Sequence, residues 1–238
     1  MTRVLLVPDL PIERWPSMDR YASRLNVHLK RYAADVELVL GGKIDDLTTD
    51  RSRSALKAGE SGPFPIPLLP HPGLREAHRY YSRYWAYPRR LARLKAGLIH
   101  VLDHSYAHAI RAHPRLPSVV TVHDLLPVHT VERAADSWRD RVRNRLLRRV
   151  LDSLRQASAW IVATEWLRVE LSAWLGGHED RIHVIPFGVD DAFFEEPAPD
   201  TRHATRARWG IPERAFVVLH VGSVGPRKNM PALFAAVQ

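Results

Sequence analysis

The chain has 238 residues, 45% hydrophobic and 26% charged, a balance that excludes a disordered chain and leaves room for one large domain or one and a half smaller ones. Its net charge of +9 is almost wholly arginine, 30 Arg against 5 Lys. There is no recognition-helix signature, aromatic-basic RNA motif or basic tail, so nucleic acid is not an expected partner; anionic membrane surfaces or phosphorylated substrates explain the charge at least as well. With no cysteine present, disulfides and thiolate metal sites are excluded, and a cytoplasmic location is expected.

The opening stretch, MTRVLLVPDLP, has too short an apolar core for a signal peptide. No apolar run approaches the roughly 18 residues of a membrane-spanning helix. From there, short β-branched runs alternate with longer amphipathic ones. Strands are expected at 3–7, 36–40, 98–102, 118–122, 159–163, 182–185 and 215–221. Helices are expected at 18–34, 74–96, 106–112, 136–156 and 166–175. Residues 45–72, rich in Ser, Gly and Pro, read as a long surface excursion. Near-continuous apolar strands separated by helices indicate an α/β, doubly wound, Rossmann-like parallel sheet.

From Pro186 to Pro212 the chain carries Pro186, Gly188, Pro197, Pro199 and Pro212, with an acidic cluster, Asp190, Asp191, Glu195 and Glu196. This marks a linker with a short helix. Three parts follow: a Rossmann-like domain over 1–187, a linker over 188–214, and at 215–238 the first strand, loop and helix of a second domain. Such a domain needs at least about 100 residues, so the second is expected to be truncated.

The stretch GSVGPRKN, at 222–229, lies between the last expected strand and a helix. A nucleotide P-loop needs Gly before the Lys and Ser or Thr after it; here Arg227 precedes Lys228 and Asn229 follows. The dinucleotide fingerprint fails as well, because no third glycine follows Gly222 and Gly225. What remains suits a diphosphate, with backbone amides for one charge and Arg227 and Lys228 for another. A plain strand-to-helix turn with solvated cations fits the same residues.

In open α/β sheets, ligands sit at the carboxyl ends of strands. Histidine and aspartate follow two of those ends, as LDHSYAH and VHDLLP. Asp103 and His104 are candidates to face an acceptor, although Asp103 serves equally well as a helix N-cap. His104 and His108 have a helical ligand spacing but no third ligand nearby, so no metal site is expected. In WRDRVRNRLLRRVLDSLRQ, residues 138–156, Trp138, Val142, Leu146, Leu147, Val150, Leu151 and Leu154 form one apolar stripe. It reads as a sheet-covering helix with a solvated arginine face, or as a patch facing a lipid monolayer together with the aromatic-basic run at 79–95.

Four stretches in order resemble retaining glycosyltransferases of family 4, which have the GT-B fold: VVTVHDLLPVH (119–129), WIVATEWLRVEL (160–171), RIHVIPFGVDDAFF (181–194) and VLHVGSVGPRKNMPALFAAV (218–237). The resemblance covers the chain after about residue 98 and, more loosely, the part before it. It implies transfer of a hexosyl group, mannosyl or glucosyl, from a nucleotide-diphosphate sugar to a glycan or glycolipid acceptor, with retention and without a metal or other cofactor. By the same resemblance His123 positions the donor sugar and Asp124 orients the loop. Gly222, Ser223, Arg227 and Lys228 take the donor diphosphate, and Ser17, Asp103 and His104 face the acceptor. The protein would be cytoplasmic, with peripheral contact at the inner membrane face. There are departures. Trp15, Pro16 and Ser17 stand where many members have a Gly-Gly loop, Ser223 stands where many have Arg, and the family's Glu-x7-Glu segment would lie beyond Gln238. The alternatives are a non-catalytic remnant that binds acceptor or partner, and a GT-B sugar-nucleotide epimerase.

Overall fold

The computed structural model of the chain describes residues 2–41, 72–131, 137–198, 200–222, 224–225 and 228–237. It separates into two compact units, Met1–Phe187 and Gly188–Gln238.

The first unit is a six-stranded parallel sheet in the order β2-β1-β3-β4-β5-β6. Its strands are β1 (Thr2–Val7), β2 (Val36–Leu40), β3 (Leu98–Val101), β4 (Ser118–Val122), β5 (Ala159–Val162) and β6 (Ile182–Val184). The helices are α1 (Pro16–Tyr32), α2 (Pro72–Tyr81), α3 (Tyr87–Leu91), α4 (Leu126–Val131), α5 (Trp138–Arg155) and α6 (Glu165–Leu175). Helices cover both faces. One face buries Leu5, Val7, Ile99, Val101, Val120, Val122, Trp160 and Val162 beneath residues from α3, α5 and α6. The other gathers Leu6 and Leu102 under Ala22, Tyr21, Leu25 and Leu29 of α1. This two-sided burial is why the strands read as unbroken apolar runs rather than alternating ones. The doubly wound α/β sheet expected from the sequence is the one observed.

Strand order reverses between β1 and β3, because the chain leaves β1 for one edge and returns to start β3 on its other side. Val7 pairs with Val101, and Val101 with Val120. Carried on past the strand ends, this register sets residue 9 beside 103, and 104 beside 123. A reversal of this kind opens a crevice at the carboxyl edge.

Helix starts follow local chemistry. Thr164 caps α6 by accepting from the Leu167 amide at 3.2 Å, and Ser137 caps α5 through the Asp140 amide at 3.1 Å. At Gly41, just after β2, a Cβ would come within 2.6 Å of Leu91 and 3.0 Å of the Leu6 carbonyl, so a side chain there would push α3 off the sheet.

Several expectations need correction. The helix expected over 74–96 is three pieces: α2, a π-helical turn at Ser82–Ala86, and α3. Such a bulge adds a residue to the turn and re-aims its side chains. The helix expected at 106–112 is a 3-10 helix, His104–Ala112. The short α4 was not expected. The apolar stripe of α5 is only partly covered: Val150, Leu151 and Leu154 are buried, whereas Trp138 and Val142 are 63% and 50% exposed. The excursion at 45–72 lies almost entirely outside the described residues.

In the second unit, α7 (Thr201–Trp209) ends at Gly210 in the left-handed region, φ 63°. Arg206 of α7 ties down the following turn through the Pro212 and Ala215 carbonyls. The run at 215–221 forms no strand, and Phe216 and Leu219 stay 92% and 81% exposed. β-propensity becomes a strand only with a neighbour to pair with, and none is present among the described residues of this unit. The unit ends in α8 (Met230–Ala236).

Candidate functional site

The carboxyl ends of β1, β3 and β4 converge at the strand-order reversal, and the buried Asp9, Asp103 and His104 side chains lie there. After β1 the chain makes a 3-10 turn, Pro11–Glu13. Three side chains hold this loop. The Tyr87 hydroxyl donates to the Pro8 carbonyl at 2.8 Å. The Leu10 amide donates to the Tyr106 hydroxyl at 3.4 Å, and that hydroxyl donates to Glu13 Oε1 at 3.0 Å. Arg83, from the π turn, reaches the same Glu13 oxygen at 2.9 Å, donates to the Ser105 carbonyl, and lies 4.2 Å over the Tyr106 ring.

Asp9 sits inside this arrangement, buried, and neither of its carboxyl oxygens has a hydrogen-bond partner. Burial, reinforced by the neighbouring Asp103 carboxylate, holds its acidity well above the ordinary value of 3.8, and Arg83 only partly opposes this. Asp103 is better served: its Oδ1 accepts from the Ser105 amide at 2.7 Å, so the N-cap role is the observed one. The linkage for Asp9 has a definite sign. The carboxyl favours folding below the ordinary carboxylate range, and that contribution is lost as pH rises through its raised folded-state value. Asp9→Asn should therefore flatten the fall in stability as pH rises above the ordinary carboxylate range and raise stability at alkaline pH by about 1–2 kcal/mol, the scale of one unsatisfied buried group. Thermal melts from acid to alkaline pH check this, and a variant less stable than the parent at alkaline pH would refute it.

His123 follows β4. Its Nε2 donates to the Leu102 carbonyl at 2.8 Å, which fixes the tautomer and leaves Nδ1 a hydrogen-bond acceptor. The ring packs against Tyr21, edge-on at 5.2 Å, and Phe187, stacked at 5.7 Å, which also touch each other at 5.6 Å. Burial lowers its basicity below the usual histidine range, against the opposing Leu102 hydrogen bond and the Asp103 and Asp124 charges, so the ring is neutral at physiological pH. Behind it, the Tyr21 hydroxyl meets Thr121 Oγ1 at 3.3 Å, and Thr121 Oγ1 meets His100 Nε2 at 2.9 Å. Burial takes His100 down to about 4, so this network also stays uncharged. Asp124 Oδ1 accepts from the Leu126 amide at 3.0 Å and so caps the start of α4.

The structure brings Asp103, His104, His123 and Asp124 together. Ser17 is exposed in the first turn of α1, apart from the polar contacts of that group. His108 is buried with Nε2 on the Arg83 carbonyl at 2.9 Å, and burial pushes it down to about 4. A four-residue spacing does not align two rings on a 3-10 helix, and no group of three candidate metal ligands occurs among the described residues. In the second unit, Gly222 adopts φ 149°, a glycine conformation, and the Lys228 amide donates to the Gly225 carbonyl at 2.9 Å. Ser223 and Arg227 lie outside the described residues.

Sequence reading missed Asp9, Glu13, Arg83, Tyr21 and Phe187. Asp9 had a signal, since it stands two residues past its strand as Asp103 does. Arg83 had none, because its inward aim depends on the π turn.

The sequence model of the family described as Glycosyltransferase Family 4 matches residues 10–193, well over half of the chain. It takes in the loops after β3 and β4 but not residues 222–228. No curated protein matches the chain.

Proposed function

The chain belongs to glycosyltransferase family 4, and from that premise we propose that it moves a hexosyl group, mannosyl or glucosyl, from a nucleotide-diphosphate sugar to a glycan or glycolipid acceptor with retention. The observation that carries this reading is the His123 ring at the carboxyl edge, where an α/β sheet takes its ligand, with Nε2 engaged by the Leu102 carbonyl so that Nδ1 is left as the acceptor. His123 Nδ1 accepts a hydroxyl hydrogen of the donor sugar and sets the sugar's orientation. Asp124 holds the loop, and Asp103 stands near the acceptor.

In the reaction, the bond from the anomeric carbon to the diphosphate oxygen breaks and the acceptor oxygen bonds to that carbon on the same face. The acceptor proton passes to the departing diphosphate. The loop at 222–228 takes the diphosphate, with Gly222 and Ser223 letting the backbone approach and Arg227 and Lys228 supplying positive charge. No metal is required by this scheme, since the two cations meet the charge on the leaving group.

The test uses the full chain with UDP- and GDP-linked glucose and mannose. One donor should raise the melting temperature and release its nucleoside diphosphate when a glycan or lipid-linked acceptor is present. A donor panel that gives neither shift nor release would overturn the reading. A melting shift with acceptor alone would instead favour a non-catalytic binding domain.

No described helix is long and apolar enough to cross a membrane, and the proposed acceptor contact is peripheral, at the cytoplasmic face. Tyr81 and Trp85 on the α2–α3 segment, and Trp138 on the arginine-rich α5, are exposed, a composition suited to an anionic lipid surface. Flotation with phosphatidylglycerol vesicles should show binding at low salt that falls at about 0.5 M salt. Failure to float at low salt would remove the membrane from this proposal.

A further inference from the structure

Two dipeptides of reversed order close the adjacent strands β3 and β4: Asp103-His104 and His123-Asp124. The register brings His104 beside His123, and His104 is in contact with both residues of the second dipeptide. The backbone N–H of His123 donates to His104 Nδ1 at 3.3 Å. The same Nδ1 also lies 3.3 Å from Asp103 Oδ1, while Nε2 is buried, 3.6 Å from Asp124 Oδ1 and without a hydrogen-bond partner. An Nδ1 that accepts leaves the proton on Nε2, where it faces the Asp124 carboxylate.

We propose that His104 is a positioning residue for His123, accepting the His123 backbone amide at its Nδ1 so that the His123 imidazole presents its own Nδ1 as an acceptor. This replaces the acceptor-facing role expected of His104 from the sequence, and its bearing on transfer rests on the reading of His123 above. The physical reason is mechanical. Asp124 is already held by the Leu126 amide at the α4 cap, and an acceptor placed against the His123 amide fixes the neighbouring backbone before any ligand arrives. His123 is then held by its amide on His104, by its Nε2 on Leu102, and by the Tyr21 and Phe187 rings packed against it.

The experiment is nitrogen-15 NMR of the histidine rings and amides in the full chain. In the parent protein, His104 should show an unprotonated Nδ1 and a protonated Nε2; the opposite tautomer would overturn the proposal without any variant. His104→Ala should speed exchange of the His123 amide by about fivefold or more, the effect of one lost hydrogen bond. It should also move the His123 titration upward toward the ordinary histidine range. The groups facing that ring are Asp103, His104 and Asp124, with Tyr21 and Phe187 packed on it, and losing burial acts in that upward direction. His104→Asn, whose side-chain oxygen takes the place of Nδ1, should keep the slow exchange.

An unchanged amide and titration in His104→Ala would refute the clamp. If that variant fails to fold, fast exchange in His104→Asn refutes it and slow exchange supports it. Turnover of the nucleotide sugars is read in parallel. A parent protein that turns over none of them counts against the transferase reading, while the ring and amide measurements still decide the clamp.

Discussion

Arg83→Met should lower the unfolding free energy by about 3–5 kcal/mol, the range for removing one partner of a buried ion pair. The side chains of Arg83 and Glu13 are 13% and 3% exposed, and they meet at 2.9 Å. Without the guanidinium, the Glu13 carboxylate keeps only the Tyr106 hydroxyl at 3.0 Å, far short of its lost hydration. The Ser105 carbonyl loses a donor as well, and Tyr106 loses the cation over its ring. Asp9 and Asp103 would be left as two acids without their nearby positive charge. Urea denaturation of the full chain measures the loss, and the double variant Glu13→Gln, Arg83→Met should recover most of it, because the stranded charge is gone. A loss under about 1 kcal/mol would mean that the pair is worth no more than a surface one.

His123→Gln should cut transfer by about 100-fold or more, the scale of one hydrogen bond lost from a water-excluded site. Glutamine keeps an amide nitrogen near the position of Nε2, so the bond to the Leu102 carbonyl survives, but it supplies nothing where Nδ1 was. His123→Ala removes the anchor, the acceptor and the packing against Tyr21 and Phe187, and should fall at least as far. Comparison of the two separates the acceptor atom from the orientation of the ring. Steady-state rates with the donor that the parent protein accepts give the measurement. A glutamine variant with unimpaired kcat/KM would take Nδ1 out of the reaction and leave His123 a packing residue.

Much of the scaffold was legible because it depends on short-range chemistry. The strands around Leu5, Val101, Val120 and Val162 are apolar runs that only a sheet covered on both faces can hold. Thr164 and Ser137 cap helix starts through their hydroxyls, a contact that spans only three residues. Asp124 and Asp103 were legible as caps for the same reason, since an Asx carboxylate finds the amide two residues on wherever the loop lies. The run at 215–221 shows the limit, because its side chains suit a strand but a ladder also needs a second chain segment beside it.

The sequence by itself determined the α/β class, the strands of the first unit, and the His-Asp loop at the end of β4. Those follow from periodicity, capping and local hydrogen bonding, which act over a few residues. Only the tertiary structure decided that Arg83 turns inward to Glu13, that the Asp9 carboxyl oxygens are buried without a hydrogen bond, and that the His123 amide donates to His104 Nδ1. Each of these depends on residues far apart in the chain or on neighbouring strands, through the register of β1, β3 and β4 and one π turn. Burial and charge in that setting depend on which segments the fold brings together, and no local window of sequence contains that information.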